Sequence, residues 1–391
     1  MLLSPHSFLS VANASRSFTG MTQRILLHIG RHKCGTTSIQ KALLQQRETL
    51  ARAGFIYPET VGKEPGHHAL ARGIKALSGD QPAHILYRMH YWLIAGAEQL
   101  SWWQRKRVAL GRLPSLIEHL RNGELPTDTG NTLRDRAALG SEQIKEYVEE
   151  LRRSKADTAI ISSEALQNCA PEAARKVLSD FDVQVVCYLR DQADYLRSAY
   201  TQRVQATDYH QSIEEYYRLI FRADYYQMLS AWDAVFPNAI TVRVFQRDQL
   251  VGGDAVSDFF TQCLGQQPCS VEKSRENPSL SATLLAFKLR LNQEGYQQQH
   301  RLYGVLPNLE HADFPRFQLS AALHEKVRGD YAVSNSQVAR RWLGAEQLFD
   351  SSTERNPNSN SDLAIDDSTF AALLEQANRI EPGCITPPSG S

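Results

Sequence analysis

Short apolar runs and stretches with a period near 3.6 residues succeed one another along this chain, the pattern of strands alternating with helices. The first run, Ile25-Leu26-Leu27-His28-Ile29, suits a buried strand. It passes through Gly30 and Gly35 into a helical pattern over 37–53, with Gly54 at the C-terminal cap position. Phe55-Ile56-Tyr57-Pro58 then reads as a short strand. Strand, loop, helix and strand make a βαβ unit, so a parallel sheet flanked by helices is expected. Another helix opens over 66–71. Core signals return with a helix over 141–154, a strand over 158–163, a helix over 171–178 and the β-branched run 183–189. A strand over 239–245, an amphipathic helix over 254–264 ending at Gly265, and helices over 280–349 follow. A Ser/Asn/Pro-rich linker covers 351–362, and a short helical segment spans about 368–379. Between these blocks, 81–140 has no strand pattern. It carries Tyr87, Tyr91, Trp92, Trp102 and Trp103 with the basic cluster Arg105-Lys106-Arg107, which suits a lid over a sugar or other polyhydroxylated molecule and equally a helical packing surface.

Length and composition narrow the picture. The 391 residues suffice for one large α/β domain or two smaller ones. Lys+Arg and Asp+Glu both number 43, so neither a nucleic-acid footprint nor a polybasic membrane anchor is indicated, and any basic site must be local. No apolar run approaches the ~20 residues that span a bilayer. Six cysteines lack CxxC pairs and partner histidines at zinc spacing, which suggests reduced thiols and a cytoplasmic protein. Residues 1–20 are Ser-rich without a basic start, so we expect an unstructured extension rather than a secretion signal, with Met21 the natural start.

The chemistry concentrates after the first strand. Two glycines and the hydroxyls of Thr36, Thr37 and Ser38 precede a helix, the makings of an anion cradle. A nucleotide triphosphatase loop would place its lysine directly after the second glycine. Here Thr36 occupies that position and Lys33 lies inside the loop, aimed at a different atom of a shorter ligand. A Gly-rich turn capping an ordinary helix would use the same residues. A second constellation starts where the run 183–189 meets Arg190. An arginine at a strand end and Ser198, eight residues on in the next helix, can converge on one phosphate. The plainer alternative is an ion pair of Arg190 with Asp191 or Asp194 at a helix cap.

Lys33-x-Gly35-Thr36-Thr37 resembles the 5′-phosphosulfate loop of PAPS-dependent sulfotransferases (PAPS is 3′-phosphoadenosine 5′-phosphosulfate), of the bacterial, carbohydrate-type kind. Leu189-Arg190-Asp191-x-x-Asp194 followed by Ser198-Ala199-Tyr200 resembles the 3′-phosphate element of the same superfamily. The stretch 271–281 resembles the segment that covers the nucleotide in bacterial members. The resemblance spans about residues 22–350 and implies a P-loop-like three-layer α/β sandwich with a central parallel sheet, carrying 81–140 as an insertion and 351–391 as linker and tail. It implies a cofactor site of Gly30, Arg31, Lys33, Gly35, Thr36, Thr37, Ser38, Arg190, Ser198 and Arg275, and transfer of a sulfuryl group from PAPS to an acceptor hydroxyl or amine without a metal. Cys34 departs from the family pattern, which has a small or hydroxyl residue there.

Lys33 is then expected to neutralise the leaving oxygen. Glu164, just past the strand 158–163, matches the general base of polysaccharide-modifying members, with His68 as substitute; capping chemistry at a helix start would also explain Glu164. His67 and His68 are adjacent and point to different faces, one expected to cap and the other to be half-exposed. A carbohydrate is the first expectation for the acceptor. The alternatives are a P-loop phosphotransferase and a nucleotide-binding protein without turnover.

Overall fold

The structure, a computed structural model, describes residues 23–30, 33–59, 65–77, 139–268, 280–298, 302–309, 311, 313–350 and 359–388. The extension 1–20, most of the insertion 81–140, Arg31 and Arg275 lie outside the described residues.

The apolar run of the sequence forms β1 (Arg24–His28), followed by α1 (Thr36–Gln45), α2 (Arg47–Arg52), β2 (Phe55–Ile56) and α3 (His68–Leu77). The single helix expected over 37–53 is thus two, because Gln46 leaves helical geometry at φ −102° and ψ 16°. Then come α4 (Ser141–Arg153), β3 (Thr158–Ser162), α5 (Pro171–Val177), β4 (Asp182–Leu189), α6 (Gln192–Ala206), α7 (Ile213–Leu219), α8 (Tyr225–Val235) and β5 (Ile240–Val244). These five strands pair in parallel in the order β2-β3-β1-β4-β5. With helices on both faces this is a three-layer α/β sandwich. β1 is central: the chain first builds leftward through β2 and β3, then crosses to β4. The crevice at the carboxyl end of β1 is therefore the topological switch point, where ligands of open α/β sheets bind.

Alternation along β1 supplies both layers. Ile25, Leu27 and Ile29 join one core with Ala159, Ile161, Val185, Cys187 and Leu189, covered by helices that include α3–α6 and α8. Leu26 joins a second core with Ile160, Val186 and Tyr188 under α1 and α9 (Ala255–Asp258). A strand covered on both faces reads as a continuous apolar run, which is why β4 was so plain in the sequence. The helix expected over 254–264 begins as α9 and continues as a π-turn over Phe259–Cys263. That wider turn lets the consecutive Phe259 and Phe260 both enter the second core.

A third core joins α10 (Ala282–Gln293), α11 (Leu302–Val305) and a helix near the C-terminus. β6 (Gln297–Gln298), β7 (Arg316–Phe317), α12 (Ala321–Val338), β8 (Ser359–Asn360), α13 (Asp367–Ile380) and β9 (Ile385–Thr386) complete the described chain. α13, expected in a tail, buries Phe370, Leu373 and Ala377 against Leu284 and Phe287, and β9 pairs with β6. α10 also steadies α6. Its buried Lys288 and Asn292 donate to Thr207 O at 2.8 and 3.2 Å, closing the carboxyl end of that helix.

Candidate active site

The loop after β1 is shaped by what lies beneath it. A Cβ on Gly30 would stand 2.7 Å from His28 Nε2 and 2.9 Å from Thr36 Oγ1, so only glycine fits. Gly35 has φ 73°, and its Cβ would be 2.6 Å from that of Ala255, pressing the loop against α9. Lys33 is also left-handed, at φ 65°, a conformation that costs a non-glycine residue roughly 1–2 kcal/mol. Gly35 stands at the cap of α1 and offers no side-chain oxygen, and no acidic residue occupies the first turn, so no carboxylate of that turn repels an anion. Thr36 is buried, Ser38 half-buried and Thr37 exposed. Cys34 is fully buried in the second core.

Arg190 reaches this loop from the end of β4. Its Nη1 donates to Lys33 O at 3.1 Å, and its guanidinium carbon lies 5.8 Å from the centre of the Phe245 ring. The helix-cap alternative does not describe it. Asp191 caps α6 through Oδ1 and turns Oδ2 to Arg328 Nε at 3.2 Å, while Asp194 pairs with Arg197 at 2.9 Å. Desolvation in the loop, then the charge of Arg190, lowers the pKa of Lys33, although the residue as a whole is exposed. Burial first, then Arg190 and Arg316, lowers that of Arg197, against the opposing pull of Asp194. Lys33, Arg190, Arg197 and Arg316 therefore share one positive field, and Arg316, from β7, carried no signal in the sequence. Ser198 is buried two turns into α6.

The other half of the site gathers at the ends of β1 and β3. Glu164 opens a 3₁₀ turn, Glu164–Asn168, capped by Ser163, whose Oγ accepts Ala165 N–H. The same Oγ lies 2.8 Å from His68 Nδ1, so His68 turns Nε2 toward Glu164 Oε2 at 3.7 Å. Both are half-buried, with side chains 16% and 18% exposed. Gln40 of α1 donates to Glu164 Oε2 at 3.3 Å and to Ser162 Oγ at 3.3 Å. His67 is fully engaged: Nδ1 accepts Ser162 N–H at 3.2 Å, which leaves the proton on Nε2 to bond Pro58 O at 3.3 Å. Burial drives its pKa down to about 4. His67 is a neutral fastener between β3 and the segment after β2.

The structure thus joins Lys33 with Arg190, Gly30 with Thr36, and Glu164 with His68. Gln40 and His28 went unread because a glutamine on a helix and a histidine in an apolar run look like ordinary fillers. Among the described residues no three His, Cys, Asp or Glu side chains are grouped to hold a metal ion, and no helix is long and apolar enough to cross a membrane.

No protein-family model matches the chain, and no solved structure does. An uncharacterized protein of Archaeoglobus fulgidus is 32% identical over 201 residues, 49% of this chain and 55% of that protein. The chain therefore spans little more than half the length of that relative.

Proposed function

We propose that the chain is a cytoplasmic PAPS-dependent sulfotransferase acting on a carbohydrate hydroxyl. The observation that carries this reading is the bond from Arg190 to the backbone of Lys33, which ties two separate anion-binding elements together while both neighbouring carboxylates face other cations. The residues present fit such a ligand. The loop is a cradle that a Cβ would fill, the first turn of α1 carries no acidic residue, and the field of Lys33, Arg190, Arg197 and Arg316 suits a nucleotide with anionic groups at two positions.

Sulfuryl transfer asks the protein chiefly for alignment and charge neutralisation. The acceptor oxygen forms a bond to sulfur as the bond from sulfur to the 5′-phosphate oxygen breaks, and the nucleotide 3′,5′-bisphosphate leaves with that electron pair. Glu164 takes the acceptor proton, with Gln40 and His68 fixing its carboxylate. Lys33 meets the negative charge on the leaving oxygen.

Calorimetry tests the reading. A charge-assisted contact to the 3′-phosphate is worth about 1.5–3 kcal/mol, so PAP (3′-phosphoadenosine 5′-phosphate) should bind at least about tenfold more tightly than ADP. Equal affinities, or Mg²⁺-dependent ATP binding, would overturn it in favour of a phosphotransferase. Turnover of radiolabelled PAPS on a panel of saccharides then identifies the acceptor, and PAP binding without turnover on any acceptor would leave a nucleotide-binding protein.

A further inference from the structure

His28 lies beneath the loop, fully buried, as the last residue of β1. It stands opposite Ser162 in the sheet, and its ring packs against Tyr188 and Phe259 at centroid distances of 5.7 and 5.3 Å. Nδ1 meets Ser162 Oγ at 2.9 Å, whereas Nε2 has no partner. A fully buried polar atom is rarely left so. The unpartnered nitrogen faces the underside of the loop, where a methyl on Gly30 would touch both it and Thr36 Oγ1.

The partners of Nδ1 indicate which nitrogen holds the proton. Ser162 Oγ accepts from Gln40 Nε2, and its own hydrogen is then directed to His28 Nδ1. That leaves the ring proton on Nε2. Burial lowers the pKa of His28 to about 4, so the ring is neutral at pH 7.

We propose that His28 is a positioning residue for the loop: when an anion seats there, the Thr36 hydroxyl takes up the His28 Nε2–H. The seated loop is thereby linked through Ser162 and Gln40 to Glu164, since Gln40 bonds both Ser162 and that carboxylate. A glutamine amide does not relay protons, so this chain of side chains carries orientation alone. It fixes the carboxylate in register with a filled loop.

The link to Glu164 rests on the sulfotransferase reading; the coupling of His28 to the loop does not. Nitrogen-15 histidine NMR on the full chain tests the coupling directly. His28 should be in the neutral Nε2–H form at pH 7, with a signal that shifts on adding pyrophosphate or PAP. An Nδ1–H form, or a signal unmoved by both, overturns the proposal. A shift with pyrophosphate in a chain that does not bind PAP upholds it while sinking the sulfotransferase reading. His28→Phe keeps the ring packing and removes both nitrogens, and should weaken anion binding about tenfold, one lost hydrogen bond. His28→Gln restores an N–H near the Nε2 position and should recover most of that loss. Equal losses in the two variants would mean that His28 only packs.

Discussion

At the carboxyl ends of β1 and β3 the site is built from buried groups, several of them neutral, held by one another. At the carboxyl end of β4 it is built from charges that reach water. In the first corner His28, His67, Ser162, Ser163 and Gln40 bond one another around Glu164, and only His28 Nε2 among their ring nitrogens stays without a partner. In the second, Arg190 contacts a backbone carbonyl and a ring, while Asp191 and Asp194 restrain Arg328 and Arg197. On the proposed function the contrast matches two tasks. A group that handles a proton must be held in one place, and short neutral contacts in a dry site do this without adding charge. A group that captures a polyanion benefits from a field that reaches into solvent, which salt weakens.

The most severe way to break this division is Glu164→Gln. Size and much of the hydrogen bonding stay, while basicity is lost. Turnover should fall about 10²–10⁴-fold, the usual worth of a positioned base, with PAP affinity unchanged by calorimetry. Near wild-type turnover would move the role to His68.

Acid should strike the first corner next. His28 and His67 have folded pKa values of about 4, against 6.5 when unfolded. Above pH 6.5 both states are neutral and nothing is lost. As pH falls from about 6.5 to about 4 the unfolded chain takes up protons that the fold refuses, at up to about 3 kcal/mol for each ring. Denaturant midpoints measured at pH 7 and 4.5 should drop accordingly, and less in His67→Gln. An equal pH dependence in that variant would show that His67 is not buried neutral.

Arg190→Ala probes the second corner. PAP affinity should fall by about 1.5–3 kcal/mol, with loss of discrimination between PAP and AMP. Lys33→Ala should instead lower kcat more than affinity, because its charge matters as the leaving oxygen develops. PAP binding in the wild type should weaken with added salt, and in Arg190→Ala less so. The same salt slope in both would remove Arg190 from the field.

The two corners also differ in how far the sequence disclosed them. Arg190, Lys33 and the glycines were legible because charge and glycine after an apolar run have few other uses, and every strand of the sheet was legible from its apolar pattern. The neutral corner was largely opaque. Gln40 and His28 matter only through partners 124 and 134 residues away in sequence, a proximity created by the β1–β3 register. Arg316 likewise acts on Arg197 from far along the chain, at 119 residues' separation. No element was assigned between 206 and 239, where α7 and α8 lie. Aromatic residues such as Tyr216, Phe221, Tyr225 and Trp232 pack there without a clean helical period.

The smallest expected effect asks how much of the charged corner is structure. Asp191 does two jobs at once: Oδ1 accepts the Ala193 amide at 2.9 Å as the cap of α6, and Oδ2 meets Arg328. Asparagine caps helices about as well as aspartate, so Asp191→Asn should keep the first job and lose the second. The pair is partly exposed, at 28% for Arg328 and 13% for Asp191, and such pairs are worth about 1 kcal/mol or less. Asp191→Ala should lose about 1 kcal/mol more, the cap itself. Thermal melts of the two variants separate the terms. If asparagine proved as damaging as alanine, the ion pair and not the cap would be what orients α6. The charges of this corner would then serve to hold the helix as well as to attract the ligand.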